Sequence, residues 1–287
     1  MTLAAAFLLS WLLVGLWARA LRERGLGKAI RADGPAAHLE KAGTPSMAGL
    51  PMAVAAGLVW LLTGGGHPLV ALAGGLFLLI GLADDLMGTM TRPLRAREKL
   101  ALQLLAGALL AYLALGEARY TPWAGLDFLL YLLALVGAAN ALNFTDGLDG
   151  LAASVGAVLL LPFYPLKLVQ AALGALLGFL WHNAPPARVF MGDAGSEALG
   201  AFWAMLYLVE GKLWYLPLAG LIPVLEVVSV ILQVLYFKKT GGQRLLRMAP
   251  LHHHLELSGW GEAKIVARFA VLTAVFTALA VALWGAA

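Results

Sequence analysis

Apolar runs of about 17 to 22 residues, the length that crosses a hydrocarbon core at about 1.5 Å rise per residue, recur along this 287-residue chain and leave it few possible folds. Ten can be placed, near residues 2–20, 46–64, 67–83, 99–116, 124–142, 150–166, 168–182, 194–210, 213–236 and 265–285. Hydrophobic residues make up 61% of the chain and charged residues only 13%, more apolar than a soluble core requires. The expectation is an all-α polytopic membrane protein of about ten transmembrane helices, forming one domain over residues 1–287.

Loop charges orient the spans. Seventeen of the 20 Lys and Arg residues, Lys28 and Arg31 among them, fall on the same side as residues 20–45, whereas Arg119, Lys167 and Lys212 fall opposite. The bias makes the first side cytoplasmic, and an even number of spans puts both termini on the outer side. The basic balance, net charge +4, then needs no nucleic-acid partner, because topology and the anionic inner leaflet account for it. The first span has no basic leader and no small-residue cleavage site ahead of Arg19, and it reads as a retained helix. Zero cysteines exclude disulfides and thiolate-held metals.

Five polar clusters stand out: Lys41 to Ser46, Asp84-Asp85, Asn143 to Asp149, Asn183 to Ser196, and His252-His253-His254. In the ten-span arrangement all five lie on the cytoplasmic face. Acids and imidazoles at membrane depth need a cation, proton or ligand to be tolerated, so the pattern points to an active site. The Asp84-Asp85 pair, where the third span ends, suits Mg²⁺ held against phosphates or a base; a solvated helix end is the plainer alternative. Asn143-Phe-Thr-Asp146-Gly147-Leu148-Asp149-Gly150 joins two spans by a tight turn. Its carboxylates would share a helix face if a helix began there, with Thr145 or Asp146 as cap. Asn183 to Ser196 is a proline-stiffened loop followed by a Gly-Asp step into the next helix. There Asp193 is either a hard oxygen ligand for Mg²⁺ or an N-cap; Phe190 either stacks on a planar base or packs. Adjacent histidines on a helix point in different directions, so phosphate contacts fit His252, His253 and His254 better than a three-histidine metal site.

Four segments carry a resemblance: Leu39-Glu-Lys41-Ala-Gly-Thr-Pro-Ser46-Met, Asn140 to Leu151, Arg188 to Ser196, and Arg247-Met-Ala-Pro-Leu-His252-His-His254-Leu-Glu256-Leu. Together they resemble the phospho-N-acetylmuramoyl-pentapeptide-transferase family, from about Arg31 to Arg268. The resemblance implies ten helices, commonly a homodimer, in the bacterial inner membrane with a cytoplasmic active site. It implies transfer of phospho-MurNAc-pentapeptide from UDP-MurNAc-pentapeptide to undecaprenyl phosphate, giving lipid I and UMP, with Mg²⁺ as cofactor. It makes Asp193 the Mg²⁺ ligand and places Asp84 and Asp85 beside the reacting phosphates. Lys41, Gly147, Leu148, Asp149, Asn183 and Phe190 match the nucleoside pocket. Asn143, Asp146, His252 and His253 match polar positions of the same cleft, with His254 beside them.

Where that family carries lysines soon after the aspartate pair, this chain has Leu86 to Thr91, and its first cations are Arg92, Arg95, Arg97 and Lys99. A GlcNAc-1-phosphate transferase of the same superfamily is the nearest alternative, but its histidine motif differs. An ion-coupled transporter is a second alternative, disfavoured because the acids gather at one face; Glu226, inside the ninth span, is the exception.

Overall fold

The computed structural model describes residues 1–27, 41–90 and 92–286, and over these residues the chain is helical with no strand. Lys28, Arg31, the Leu39-Glu40 start of the first motif and Thr91 lie outside the described residues. The helices are α1 (Thr2–Glu23), α2 (Gly49–Leu62), α3 (Pro68–Met90), α4 (Ala96–Ala114), α5 (Ala124–Thr145), α6 (Leu151–Leu160), α7 (Lys167–Asn183), α8 (Gly192–Val209), α9 (Leu216–Ala219), α10 (Leu221–Lys239), α11 (Leu251–Glu256) and α12 (Glu262–Ala286).

The ten helices other than the short α9 and α11 each overlap one of the ten segments placed from hydropathy, and α9 shares the ninth segment with α10. Five of them, α1, α3, α5, α10 and α12, are long and apolar enough to cross a membrane by length and composition. Helices α2 and α6 are shorter, at 14 and 10 residues, while α4 and α8 carry charges in their first turns. Pro162 ends α6 in a short 3-10 turn, Leu161–Phe163, so the Pro162–Pro165 region separates two helices. The ninth segment is broken, with a 3-10 turn (Leu213–Tyr215) and α9 preceding α10; Gly220 and Pro223 mark the break, since Pro lacks the amide that a continuous helix would use.

Helix α8 is the axis of the bundle. All of its residues except Asp193 and Val209 are buried, as expected of a helix apolar on every side, and it packs most extensively against α3 and α5. Outer faces are leucine-rich and open, with Leu105 and Leu133 both 71% exposed, which suits lipid better than water. Helix α1 lies along α7, tied by Ser10 Oγ donating to the Ala175 carbonyl at 2.7 Å.

The crossing of α3 and α8 sets the site, because it brings the end of one helix onto the start of the other. Close approach depends on Gly81, where any Cβ would overlap the Asp193 carbonyl. Gly81→Val should therefore lower stability in detergent by about 2 kcal/mol or more. Gly57→Ala, where a Cβ meets nothing within 4 Å, should be neutral or stabilising by up to about 1 kcal/mol. Thermal unfolding of the two variants checks the contrast, and equal melting temperatures would contradict the crossing.

Candidate active site

All five polar clusters meet at one end of the bundle; hydrogen bonds connect four of them, and packing of His252 on Gly147 brings in the fifth. Asp84 and Asp85 lie inside α3, which continues to Met90 rather than ending at residue 83. Two carboxylates survive there because each has polar partners. Asp85 accepts from the Asp193 and Ala194 amides at 3.2 and 3.0 Å, so it caps α8 from a neighbouring helix and satisfies the positive end of that dipole. Asp193 is thus not the cap of its own helix.

Asp84 is 8% exposed and accepts the Leu94 amide at 2.7 Å through Oδ1. Its Oδ2 faces the Lys99 ammonium at 3.2 Å. The same ammonium bonds Asp193 Oδ2 and lies 2.5 Å from Glu197 Oε1. Three carboxylates from α3 and α8 thus converge on one cation from α4. No group of three or more His, Asp or Glu side chains stands at metal-binding spacing among the described residues, but the donors fit a hard divalent ion: all are carboxylate oxygens, and the cluster already holds positive charge.

The second centre is a clasp around Lys41. Its Nζ lies 2.7 Å from both Asp149 Oδ1 and Glu262 Oε1, and Glu262 also accepts the Asp149 amide at 2.6 Å. Asp149 Oδ2 accepts from the Ala187 amide at 2.8 Å. Asn183, 3% exposed, accepts from Gly150 N at 3.0 Å and donates to the Val189 carbonyl at 2.9 Å. Residues 146–150 form a turn, α6 starting only at Leu151. Asp146 follows the end of α5, Thr145 donates back to Ala141 O, and the two aspartates do not share a helix face. Leu148 is buried in the core, and Phe190 is half-buried, its backbone paired with Pro45 and Ala48. Asn143 donates to Ser196 Oγ at 3.0 Å, joining α5 to α8.

The three histidines have three separate partners, as their spacing on α11 requires. His252 and Glu226 are both fully buried, with Nδ1 and Oε2 3.0 Å apart. The other ring nitrogen of His252 points at Gly147, where a Cβ would strike it; this contact brings the histidine segment onto the Asn143–Asp149 turn. His253 pairs with Glu256 at 2.7 Å, and His254 accepts the Arg247 amide at 3.1 Å.

The sequence alone shows no role for Glu226, places Lys99 only among the loop cations, and does not single out Glu197 or Glu262. Glu197 was detectable, since it lies one helical turn from Asp193 on the same face. Glu262 had no local signal, because its partners are more than 100 residues away.

Residues 67–210, spanning α3 to α8 and hence the acidic centre, match the family described as "Glycosyl transferase family 4". A phospho-N-acetylmuramoyl-pentapeptide-transferase of Deinococcus radiodurans is 41% identical, covering 96% of this chain and 97% of the relative. That of Deinococcus deserti is 46% identical, covering 96% of each, and that of Pelotomaculum thermopropionicum is 41% identical over 91% and 90%. The chain belongs to the phospho-N-acetylmuramoyl-pentapeptide-transferase family.

Burial alone would lower the Lys41 pKa, but the hydrogen bonds and charges of Asp149 and Glu262 outweigh it and hold the ammonium above its ordinary range. A raised folded-state pKa stabilises the fold below the unfolded value of 10.5 and loses that contribution as pH rises through the folded value. Lys41→Met should cost about 1 to 3 kcal/mol near neutrality. The gap between native and variant melting temperatures should close only above about pH 10.5; a gap unchanged there would show that the clasp does not act through charge.

Proposed function

We propose that this protein transfers phospho-MurNAc-pentapeptide from UDP-MurNAc-pentapeptide to undecaprenyl phosphate, forming lipid I and releasing UMP. The observation that carries the reading is the meeting of all four family motifs in one cleft beside the acidic centre. Near-full-length relatives bearing the transferase name support the same donor and acceptor. In this proposal all ten longer helices span the inner membrane of a bacterium, both termini lie on the outer side, and the cleft opens to the cytoplasm; the positive-inside bias supports that orientation. The chain acts as one domain, as a homodimer.

Both substrates are phosphates, so the first task is to offset repulsion between a lipid monophosphate and a diphosphate. Asp193 and Asp84 would hold Mg²⁺, which when bound neutralises charge on the diphosphate as UMP leaves. Lys99 adds a fixed cation at the same place. Asp85 keeps α8 in position through its two amide contacts. The prenyl phosphate is ionised near neutral pH and attacks the diphosphate directly, so no aspartate need remove a proton or form an aspartyl-phosphate. Lys41, Gly147, Leu148, Asp149, Asn183 and Phe190 form the nucleoside side of the cleft. For Leu148, Asp149 and Asn183 the contribution is to shape the loop, since their side chains are buried. Asn143, Asp146, His253 and His254 supply polar groups along the phosphates and sugar; His252, fully buried, contributes by packing on Gly147 of the turn, with Glu226 fixing its ring.

The test is UMP release by the purified protein in detergent with undecaprenyl phosphate as acceptor. UDP-MurNAc-pentapeptide should support Mg²⁺-dependent release and UDP-GlcNAc should not; the reverse preference would move the protein to the GlcNAc-1-phosphate branch. Asp193→Asn should reduce release by about a hundredfold or more, and retained Mg²⁺-dependent turnover would remove Asp193 as the ligand.

A further inference from the structure

The three carboxylates around Lys99 are not equally reachable. The Asp193 side chain is 28% exposed and that of Asp84 11%, whereas Glu197 is fully buried. A hydrated cation entering from the cleft meets Asp193 first and Asp84 next; Glu197 lies behind Lys99, whose side chain is itself 14% exposed. Glu197 has a further polar neighbour in Gln103. Gln103, 1% exposed, accepts from Asn140 at 2.8 Å through Oε1, and neither its Nε2 nor the Glu197 Oε2 makes a hydrogen bond among the described residues.

The formal charge is informative. Three carboxylates less one ammonium leave two negative charges, the complement of one divalent ion. A cluster with only Asp84, Asp193 and Lys99 would be overcharged on binding that ion, and Lys99 would compete with it for the same oxygens.

We propose that Glu197 is a positioning residue that retains the Lys99 ammonium on the inner side of the cluster, so that a divalent cation on Asp193 and Asp84 shares the site with Lys99 instead of being excluded by it. The inference rests on the reading in which Asp193 and Asp84 hold the metal. With Glu197 in place, Lys99 withdraws from Asp193 without leaving the site and stays within reach of the phosphates. Without that inner anchor, Lys99 settles on Asp193 and blocks the metal.

The test is Mn²⁺ binding to the purified protein without substrate, followed by electron paramagnetic resonance. Glu197→Asp keeps the charge but draws the carboxylate back from Lys99, and it should weaken Mn²⁺ binding by about tenfold. In a Lys99→Met background the same substitution should change affinity by less than about twofold. Lys99→Met alone should tighten binding. Equal weakening in both backgrounds would make Glu197 a direct ligand and overturn the proposal, as would no weakening in the native background or no tightening in Lys99→Met. If Glu197→Asp does not fold, Glu197→Gln, of nearly the same size, takes its place in the native background. There it should weaken binding at least as much, and unchanged affinity would be equally fatal. Asp193→Asn separates the underlying reading: if it binds Mn²⁺ like the native protein, the metal is not on Asp193, whatever the Glu197 variants do.

Discussion

Helix α8 begins inside the protein, where its first amides have no water to bind. An orphaned helix start costs several hydrogen bonds, and here the Asp85 carboxylate on α3 meets two of those amides. The arrangement needs α3 and α8 almost in backbone contact, which Gly81 allows. Once α3 and α8 are fixed in this way, Asp84 and Asp193 face the same space, and Lys99 of α4 is the cation that makes their proximity tolerable. One buried helix start therefore decides where the acids stand, which helix must bring a lysine, and where the cleft opens.

The same economy holds at the second centre. Lys41, Asp149 and Glu262 come from three distant parts of the chain and satisfy one another. The second Asp149 oxygen and the Asn183 amide bond loop backbone, so these residues fix the shape of the turn over which Gly147 is presented to His252. Substituting either would move stability and activity together. Substitutions at Asp193 or His253, which sit nearer the opening, separate the two more cleanly.

Much of this was legible in the sequence. The ten apolar segments needed only composition and length, and each overlaps one of the ten longer helices, though the break in the ninth was not foreseen. The five polar clusters needed only the rarity of such residues in an apolar chain. Partner identity was not legible, because the partner of a buried charge is chosen by helix crossings. Asp85, read as half of an acidic pair, also caps another helix, while Asp193, read as an Mg²⁺ ligand with an N-cap as the plainer alternative, turns its carboxylate to Lys99. The end of the third segment was misplaced for the same reason: the aspartates read as a stop, yet α3 runs through them because α8 and Lys99 supply what water would have supplied.

Glu226 and Glu197 show two uses of a fully buried acid. Each is 0% exposed, and each faces a group that can carry positive charge, His252 in one case and Lys99 in the other. An isolated carboxylate at that depth would be far too costly to retain, so each is tolerated only as half of a pair. The pairs differ: the Lys99 side chain is 14% exposed and reaches the cleft, whereas His252 is as buried as Glu226 and is packed against Gly147. A site that must hold two polyanionic substrates gains from a cation that does not follow a departing phosphate, and Glu197 behind Lys99 meets that requirement with a residue that never touches the substrate.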